Sequence, residues 1–306
     1  MAEFIGQVKL NLDFYSGEDS YSDGEDIENE LLEIVKDYPQ SDYNRIIFEK
    51  KSWPILYHLS DIRGNIVNWI DFEKGAELLE IGAGCGAITS SFTEMDIKIT
   101  AIDLSKKRCL INAHRNKTQN KLEIIVGNFM DIELSKKFDY ITLIGVYEYA
   151  NLYMNSKNSH IDFLKKVMEY LKPKGKLVIS IENKYGLKYW AGCMEEHLGE
   201  YFKGLEGYEE KTVRTFSKME LIDTFQKCNI NKYKFYYPYP DYKFPYSIYS
   251  DEYLPKINEL SDNYPNFDLP RLKLFNEKKV MNSIINDNLF DLYSNSYLII
   301  IDKDEK

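Results

Sequence analysis

Apolar residues along this chain change spacing at residue 70. Between Pro54 and Ile70 they recur every three or four residues, which predicts one face of an amphipathic helix. Beyond Ile70, short apolar runs alternate with helical patterns, as in a parallel sheet covered by helices. The predicted strands are 77–82, 97–103, 122–127, 138–145, 176–182, 232–237 and 297–301. The predicted helices are 105–117, 161–171 and 217–228.

Residues 14–31 carry many acidic side chains, and this charge density predicts a solvated arm or an exposed helix. We therefore expect an N-terminal acidic arm and helical extension over 1–74 and one domain over 75–306. Two stretches, 183–216 and 238–288, interrupt the regular alternation. We interpret them as aromatic-rich insertions that cap the ligand edge of the sheet.

The composition narrows the possible partners. Of the 306 residues, 44% are hydrophobic, which is enough for a sizeable core, and the net charge of −10 argues against a nucleic-acid partner. No apolar run is long enough for a membrane span, so we expect a cytoplasmic protein. The four cysteines are widely scattered, which indicates reduced thiols, and nothing indicates the oligomeric state.

The strongest local signal is the segment LLEIGAGCGAIT at residues 78–89. An apolar strand leads into Gly82, Gly84 and Gly86, where the backbone can turn tightly and approach a ligand closely. The third glycine comes one residue too early for a nicotinamide-binding motif. Glu80 adds a carboxylate beneath the loop, which suits a cationic amino-acid group better than a phosphate.

Polar residues follow the next two strands. Asp103 ends the second strand, where a carboxylate can accept hydrogen bonds from both hydroxyls of a ribose. Asn128 and Phe129 follow the third strand, where an amide can bond the edge of an adenine and an aromatic ring can stack on its face. Each feature alone also fits a loop, a helix cap or a core residue, but their order on successive strands favours a cofactor site.

These motifs resemble those of class I, Rossmann-like S-adenosylmethionine-dependent methyltransferases, over about 75–182 and the final strands. The resemblance implies a seven-stranded α/β sheet, S-adenosylmethionine as the cofactor and S-adenosylhomocysteine as the product. It also implies that residues 144–148 line the reactive sulfonium and the acceptor. The cofactor-binding residues that it implies are Glu80, Gly82, Ala83, Gly84, Gly86, Asp103, Leu104, Asn128, Phe129 and Gly145.

Several acceptor classes need residues that this chain lacks. The fourth strand is followed by GVYEY, without the Pro-Pro-aromatic or Pro-Cys segments that the DNA-base and pyrimidine C5 enzymes use. Protein arginine methyltransferases use two glutamates in one loop, whereas only Glu148 is present here between Tyr147 and Ser159. Residues 140–147 contain no carboxylate that could hold a catechol-type metal. We therefore expect a metal-independent enzyme that acts on a small molecule or a glycan.

The second half of the chain resembles methyltransferases of bacterial surface-polysaccharide and sugar biosynthesis, in segments such as IENKYGLKYWAG and YPYPDYKFP. This favours O-methylation of a sugar or glycan precursor. N- or O-methylation of another metabolite or of a peptide natural product stays open, as does a non-catalytic cofactor-binding sensor or partner subunit. The expected substrate-binding residues are Arg63, Tyr147, Asn183, Tyr185, Trp190, Arg214 and Asp241.

A hydroxyl acceptor benefits from a general base. His197 is the first candidate, because imidazole accepts a proton near neutral pH and few other histidines compete. Glu148 and Glu182 are the alternatives.

Overall fold

The computed structural model describes residues 2–19, 22–154, 156–260 and 269–305. It forms two compact units. The first consists of Met1–Leu143 and Glu169–Gly175, and the second of Ile144–Met168 and Lys176–Lys306. Neither unit begins or ends between residues 74 and 75, where we expected a boundary. The division into an N-terminal extension and one domain stays a prediction.

The described residues form ten strands, twelve α-helices and four short 3-10 helices. The strands are β1 (Ala2–Ile5), β2 (Val8–Asn11), β3 (Glu77–Ile81), β4 (Lys98–Asp103), β5 (Leu122–Val126), β6 (Phe138–Ile144), β7 (Leu171–Glu182), β8 (Tyr233–Tyr239), β9 (Ser247–Ser250) and β10 (Ser296–Asp302). The α-helices are α1 (Glu25–Asp37), α2 (Tyr43–Lys50), α3 (Trp53–Leu59), α4 (Thr89–Thr93), α5 (Lys106–Arg115), α6 (Ala150–Tyr153), α7 (Ser159–Glu169), α8 (Leu187–Trp190), α9 (Lys203–Glu206), α10 (Lys218–Lys227), α11 (Glu277–Asn286) and α12 (Phe290–Tyr293). The 3-10 helices are Gln40–Asp42, Asp61–Ile66, Phe129–Asp131 and Tyr147–Tyr149.

The strands of the first unit lie in the order β1, β2, β5, β4, β3, β6. From β2 to β6 neighbouring strands are parallel, whereas β1 and β2 form an antiparallel hairpin. The carboxyl ends of parallel strands share one edge of a sheet. The register therefore brings the ends of β3, β4 and β5 to the same edge, since Ile81 pairs with Ile102 and Ile102 with Ile125.

The strands of the second unit lie in the order β7, β10, β8, β9, and all neighbours are antiparallel. β10 lies between β7 and β8, and Ser296 pairs with Glu182 at the end of β7. Residues Tyr297, Leu298, Ile299 and Ile301 of β10 have no exposed surface, so this strand is the core of the unit.

The predicted α/β class is confirmed, and each of the seven predicted strands is present. The main difference among them is β7, which begins at Leu171 rather than at residue 176. The strand count differs, because β1, β2 and β9 were not predicted. β9 lies within the 238–288 insertion and pairs with β8, so this part of the expected cap extends the sheet.

The single helix predicted from Pro54 to Ile70 is wrong. α3 ends at Leu59 because Ser60 is extended, and a 3-10 helix follows over Asp61–Ile66. Gly64 lies in that second segment, where an added Cβ would come within 2.2 Å of Ser91 Oγ. Close packing there favours the break over a continuous helix. Among the described residues, no helix combines the length and apolarity that a membrane span requires, and a cytoplasmic location stays a prediction.

The N-terminal helices α1, α2 and α3 belong to the first unit. α1 contacts α5, and their apolar faces share one cluster with α2 and α3. The buried members of this cluster are Leu31, Ile34, Val35, Tyr43, Ile46, Ile55, Leu59, Cys85 and Ile111. Cys85 belongs to the glycine-rich loop, so the N-terminal helices support that loop from one side.

The expected solvated character of residues 14–31 is wrong for part of the segment. Glu28 is only 3% exposed and accepts a hydrogen bond from Arg108 Nε at 2.9 Å. Asp23 Oδ2 lies 2.7 Å from an Arg108 nitrogen and 2.6 Å from His58 Nε2. Although burial raises it, the pKa of Asp23 is held below its ordinary value by His58 and Arg108. Arg108 thus compensates the charge of acidic residues that we expected in solvent.

Replacing Arg108 tests this network. Arg108→Met leaves Glu28 buried without its cation, so we expect the free energy of unfolding to fall by about 3 kcal/mol in urea denaturation. The double variant Arg108→Met, Glu28→Leu removes both charges and is expected to recover part of that loss. Equal loss in the single and double variants would contradict a stabilising ion pair.

Candidate active site

The glycine-rich loop after β3 has the backbone conformation that its sequence requires. Gly82, Gly84 and Gly86 have φ values of 76°, 52° and 82°, a region that other residues rarely adopt. A Cβ at Gly86 would come within 2.5 Å of Asn112 Oδ1, whereas a Cβ at Gly84 would meet no atom within 4 Å among the described residues. Gly86 is therefore needed for packing, and Gly84 leaves open space beside the backbone.

Asp103 connects this loop to the end of β4. Its Oδ2 accepts a hydrogen bond from Gly84 N at 2.8 Å, and its Oδ1 accepts one from Ser105 N at 3.0 Å. Burial raises the pKa of the Asp103 carboxyl, while these two backbone donors oppose the rise. The carboxylate thus has a defined orientation at the edge where the resemblance implies a ribose.

Glu80 lies inside the sheet just before the loop and is 4% exposed. Its Oε2 accepts a hydrogen bond from Thr89 Oγ1 at 2.6 Å, and Asn112 Nδ2 donates to Thr89 Oγ1 at 2.9 Å. Burial raises the pKa of Glu80 to about 8, although the hydrogen bond from Thr89 opposes this. A cationic group placed beside Glu80 would stabilise its ionised form.

The acidic arm lies at the same edge of the first unit. Phe14 is so close to Gly127, just after β5, that a Cβ on this glycine would come within 2.7 Å of the Phe14 carbonyl oxygen. Asp19 accepts hydrogen bonds from Lys106 N at 2.7 Å and Lys107 N at 3.1 Å, the first two backbone N–H groups of α5, which follows Asp103 and a two-residue turn. Residues 14–19 therefore border the expected adenosine site.

The other cofactor candidates have mixed environments. Asn128 Oδ1 accepts a hydrogen bond from Met130 N, and Leu104 is half-buried beside Asp103. Phe129 is 4% exposed, and its ring lies edge-on to Tyr170, so stacking on adenine has no support in this structure. Gly145, the second residue of the second unit, has φ 69° and donates to Ser180 O at 2.9 Å. The binding roles of these residues stay predictions.

In the second unit, the three candidate catalytic residues come together. One ligand atom each from Glu148, Glu182 and His197 lies within 4.8 Å of the other two. Glu148 and Glu182 are 1% and 0% exposed. Glu148 Oε2, Glu182 Oε2 and His197 Nε2 are buried and have no hydrogen-bond partner among the described residues. Side chains distant in the sequence thus form one buried polar cluster.

Lysines and further carboxylates surround this cluster. Lys243 Nζ lies 2.9 Å from Glu182 Oε1 and also contacts Glu196, which in turn contacts Lys188. Burial and the negative charge of Glu182 hold the pKa of Glu148 well above its ordinary value. Burial alone would also raise the pKa of Glu182, but the Lys243 ammonium holds it below its ordinary value. Without a ligand, the arrangement therefore favours one neutral and one ionised carboxyl group.

The loop that carries His197 is held in place by a buried carboxylate. Glu195 is 1% exposed, and its Oε2 accepts hydrogen bonds from His197 N at 2.8 Å and Leu198 N at 2.7 Å. The imidazole Nδ1 lies 3.3 Å from the Tyr149 hydroxyl oxygen. These contacts orient Nε2 toward the two glutamates.

The expected substrate-binding residues do not form one group. Tyr185 and Trp190 are 38% and 43% exposed and can contact a ligand. Tyr147 is fully buried, with its hydroxyl donating to His160 O, and Asn183 is fully buried, with its amide donating to Leu292 O and Ser294 O. These two have structural contacts, and their binding roles have no support here.

Three charged candidates are also paired. Arg63, in the first unit, is 4% exposed and lies 4.0 Å above the Tyr57 ring. Arg214 donates to Glu220 at 2.9 Å and lies over Phe216. Asp241 accepts a hydrogen bond from Lys243 N at 2.8 Å and lies 3.6 Å from Lys188 Nζ. Asp241 is therefore at the border of the buried cluster. Arg214 also adjoins it, because its backbone N–H donates to Glu148 O at 3.2 Å, whereas Arg63 belongs to the first unit.

Sequence reasoning missed Lys188, Lys243 and Glu196. Nothing in their spacing distinguishes them from surface charges, because their partners come from distant segments. The available signals were two segments that we associated with sugars: IENKYGLKYWAG, which contains Lys188, and YPYPDYKFP, which contains Lys243.

Comparison with known proteins finds similarity to methyltransferases. Residues 79–177 match the family model described as a methyltransferase domain. The chain is 29% identical over 129 residues to a mitochondrial ubiquinone biosynthesis O-methyltransferase of Dictyostelium discoideum, and 31% identical over 114 residues to that of Schizosaccharomyces pombe. Each match covers 38% of the relative's length and 38% or 35% of this chain.

Solved structures also resemble this chain. A possible histamine N-methyltransferase of Thermotoga maritima matches with a TM-score of 0.46 at 16% identity, over 86% of this chain and 99% of that one. A Haemonchus contortus phosphoethanolamine N-methyltransferase in complex with phosphoethanolamine and S-adenosylhomocysteine has a TM-score of 0.49 at 13% identity, over 91% and 49% of the two chains.

The open position at Gly84 predicts a selective loss of cofactor binding. A methyl group there occupies the space that the loop leaves for the ligand, so we expect Gly84→Ala to weaken S-adenosylmethionine binding by about tenfold or more in calorimetry. Gly75→Ala is the matched control, because Gly75 has φ 77° and also has no neighbour within 4 Å among the described residues. Similar binding by both variants would contradict the assigned role of the loop.

The pKa of Glu80 predicts proton release on cofactor binding. At pH 7 a carboxyl of pKa about 8 is mostly protonated, and pairing with the cofactor ammonium favours its carboxylate. We expect release of nearly one proton, and an affinity that rises between pH 6 and 8. Calorimetry in buffers of different ionisation enthalpy measures this, and Glu80→Gln, which keeps an acceptor for Thr89, is expected to abolish it. Absence of proton release in the unmodified protein would exclude the pairing.

Three observations agree on the cofactor. The glycine-rich loop leaves space beside Gly84, the carboxyl groups of Glu80 and Asp103 lie at the loop, and residues 79–177 match the methyltransferase family model. The residues present therefore fit S-adenosylmethionine. The chain carries an S-adenosylmethionine-dependent methyltransferase domain of the class I, Rossmann-like fold.

Proposed function

We propose that the whole chain catalyses methyl transfer from S-adenosylmethionine to a hydroxyl oxygen of a small-molecule acceptor. The observation that carries this proposal is the buried cluster of Glu148, Glu182 and His197. Hydroxyl groups are weak nucleophiles at neutral pH. A site that accepts the hydroxyl proton, wholly or in part, accelerates their methylation. A cluster of carboxylates and an imidazole provides that chemistry.

The reaction forms a C–O bond while the C–S bond of the donor breaks, and the hydroxyl proton must leave the acceptor. Bound S-adenosylmethionine supplies the electrophilic methyl group. His197 Nε2 has a free lone pair if Nδ1 donates its proton to Tyr149, so it can accept the acceptor's proton. Neighbouring Glu182, ionised because of Lys243, then stabilises the imidazolium.

The comparisons support oxygen as the acceptor atom. The relatives from Dictyostelium discoideum and Schizosaccharomyces pombe are named O-methyltransferases, although the matched region spans only 38% of each. A nitrogen acceptor needs only to be neutral and gives no role to a general base. We therefore rank O-methylation above N-methylation.

For the acceptor class, we propose a sugar or glycan precursor. Exposed aromatic planes stack on sugar faces, and Tyr185 and Trp190 offer such planes in the same unit as the cluster. Tyr189, which precedes Trp190 in α8, is only 3% exposed, which reduces the available aromatic surface. The second candidate is an acceptor in ubiquinone biosynthesis, which the names of the relatives favour.

Labelled methyl transfer tests this function. The full chain is incubated with methyl-labelled S-adenosylmethionine and one acceptor fraction at a time. The fractions contain nucleotide sugars, lipid-linked glycans or hydroxylated aromatic rings. We expect an O-methyl ether in one fraction, and a decrease of kcat by about 10²-fold or more in His197→Gln, with little change in cofactor affinity.

Glu209→Gln is the control, because Glu209 is an exposed carboxylate of the same unit, with 79% side-chain exposure. Label in the aromatic-ring fraction would reject a sugar as the acceptor and support a ubiquinone-type acceptor. Label on nitrogen would overturn O-methylation. Cofactor binding without transfer in any fraction would favour the non-catalytic sensor or partner subunit.

A further inference from the structure

We propose that Glu148, Glu182 and His197 hold a divalent metal cation of the Mn²⁺ or Zn²⁺ type. Two carboxylates and one imidazole are a ligand set that such ions bind, and the remaining coordination positions are then available to water or a ligand. This reverses our expectation of a metal-independent enzyme. That expectation considered residues 140–147, and Glu148 follows that segment directly.

The donor atoms lie close together, as the ligands of one metal ion must. One oxygen of each glutamate and one nitrogen of His197 lie within 4.8 Å of one another. Three of the buried atoms, Glu148 Oε2, Glu182 Oε2 and His197 Nε2, have no hydrogen-bond partner among the described residues. Buried polar atoms are seldom left without a partner, so several of them in one place indicate a missing ligand.

The surrounding contacts resemble the outer support of a metal site. A metal-ligating histidine usually donates its second ring N–H to a neighbouring oxygen, which fixes the tautomer. Tyr149 provides such an oxygen 3.3 Å from Nδ1 of His197. Glu195 holds the backbone of the same loop through two N–H groups. The imidazole is therefore oriented before any ligand binds.

The charge of the cluster also favours a cation. The described groups here are five carboxyl groups, of Glu148, Glu182, Glu195, Glu196 and Asp241, and two ammonium groups, of Lys188 and Lys243. Lys243 neutralises part of the charge on Glu182 and Glu196, but no lysine contacts Glu148 among the described ion pairs. A divalent cation would stabilise Glu148 in its ionised form.

The role of this cation rests on the proposed function, whereas its binding does not. A bound divalent cation lowers the pKa of a coordinated hydroxyl, so that an acceptor oxygen would be a better nucleophile. In that case the three residues act as ligands, and His197 is not the proton acceptor.

Mn²⁺ binding to the full chain tests the proposal. The protein is treated with a chelator, dialysed and titrated with Mn²⁺ while electron paramagnetic resonance measures the free ion, in the absence of S-adenosylmethionine. We expect one Mn²⁺ per chain. Glu148→Gln and His197→Gln are expected to weaken binding by at least about tenfold, and Tyr149→Phe by roughly tenfold.

Glu209→Gln is the matched carboxylate-to-amide control and should bind Mn²⁺ as the unmodified protein does. Equal binding by Glu148→Gln and the control would overturn the site, as would absence of Mn²⁺ and Zn²⁺ binding. Should a variant fail to fold, pulsed electron paramagnetic resonance on the unmodified Mn²⁺ complex decides, because it detects a coordinated imidazole nitrogen. A spectrum without that nitrogen would contradict His197 as a ligand.

The two proposals fail separately. Mn²⁺ binding at these residues without methyl transfer supports the metal site and rejects the proposed function. Methyl transfer by a protein that binds neither Mn²⁺ nor Zn²⁺ supports the function and rejects the site.

Discussion

Each unit buries a carboxyl group at or near the end of a strand, and a buried carboxyl group must be paired, hydrogen-bonded or protonated. In the first unit Glu80 accepts a hydrogen bond from Thr89 and has a raised pKa. In the second unit Glu182 pairs with Lys243, while Glu148 has one oxygen without a partner among the described residues. Both arrangements favour a cation: the ammonium group of the cofactor in the first unit and, we propose, a divalent metal in the second.

The first unit positions its ligand groups through the backbone. Because β3, β4 and β5 are parallel, the loops that follow them share one edge. The carboxylate of Asp103 accepts from the N–H of Gly84, so the glycine-rich loop and the expected ribose site are coupled by one hydrogen bond. The second unit positions its cluster differently, through long-range contacts between side chains. Its geometry therefore depends on packing rather than on a local motif.

Sequence reasoning succeeded where the signal was local. Glycine spacing after an apolar strand identified the loop, because only glycine readily adopts its positive φ values. It failed where residue identity does not report burial. Tyr147 and Asn183 were expected to contact the substrate without any sign of their full burial, and that role stays a prediction. The acidic charge of Glu28 indicated solvent, yet Arg108 pairs with it in the interior. The alternation of Val8 and Leu10 with polar neighbours was the available sign of β2, and it was missed.

The resemblance of the motifs to class I methyltransferases implied the class of cofactor. The sequence alone determined the order of seven of the ten described strands along the chain and the conformation of the glycine-rich loop. These follow from hydrophobic periodicity and backbone sterics, which act over a few residues. Only the tertiary structure decided that Glu148, Glu182 and His197 meet, and that Lys243 pairs with one of them. Electrostatic interactions depend on distance in space and on burial, and neither can be read from separation along the chain.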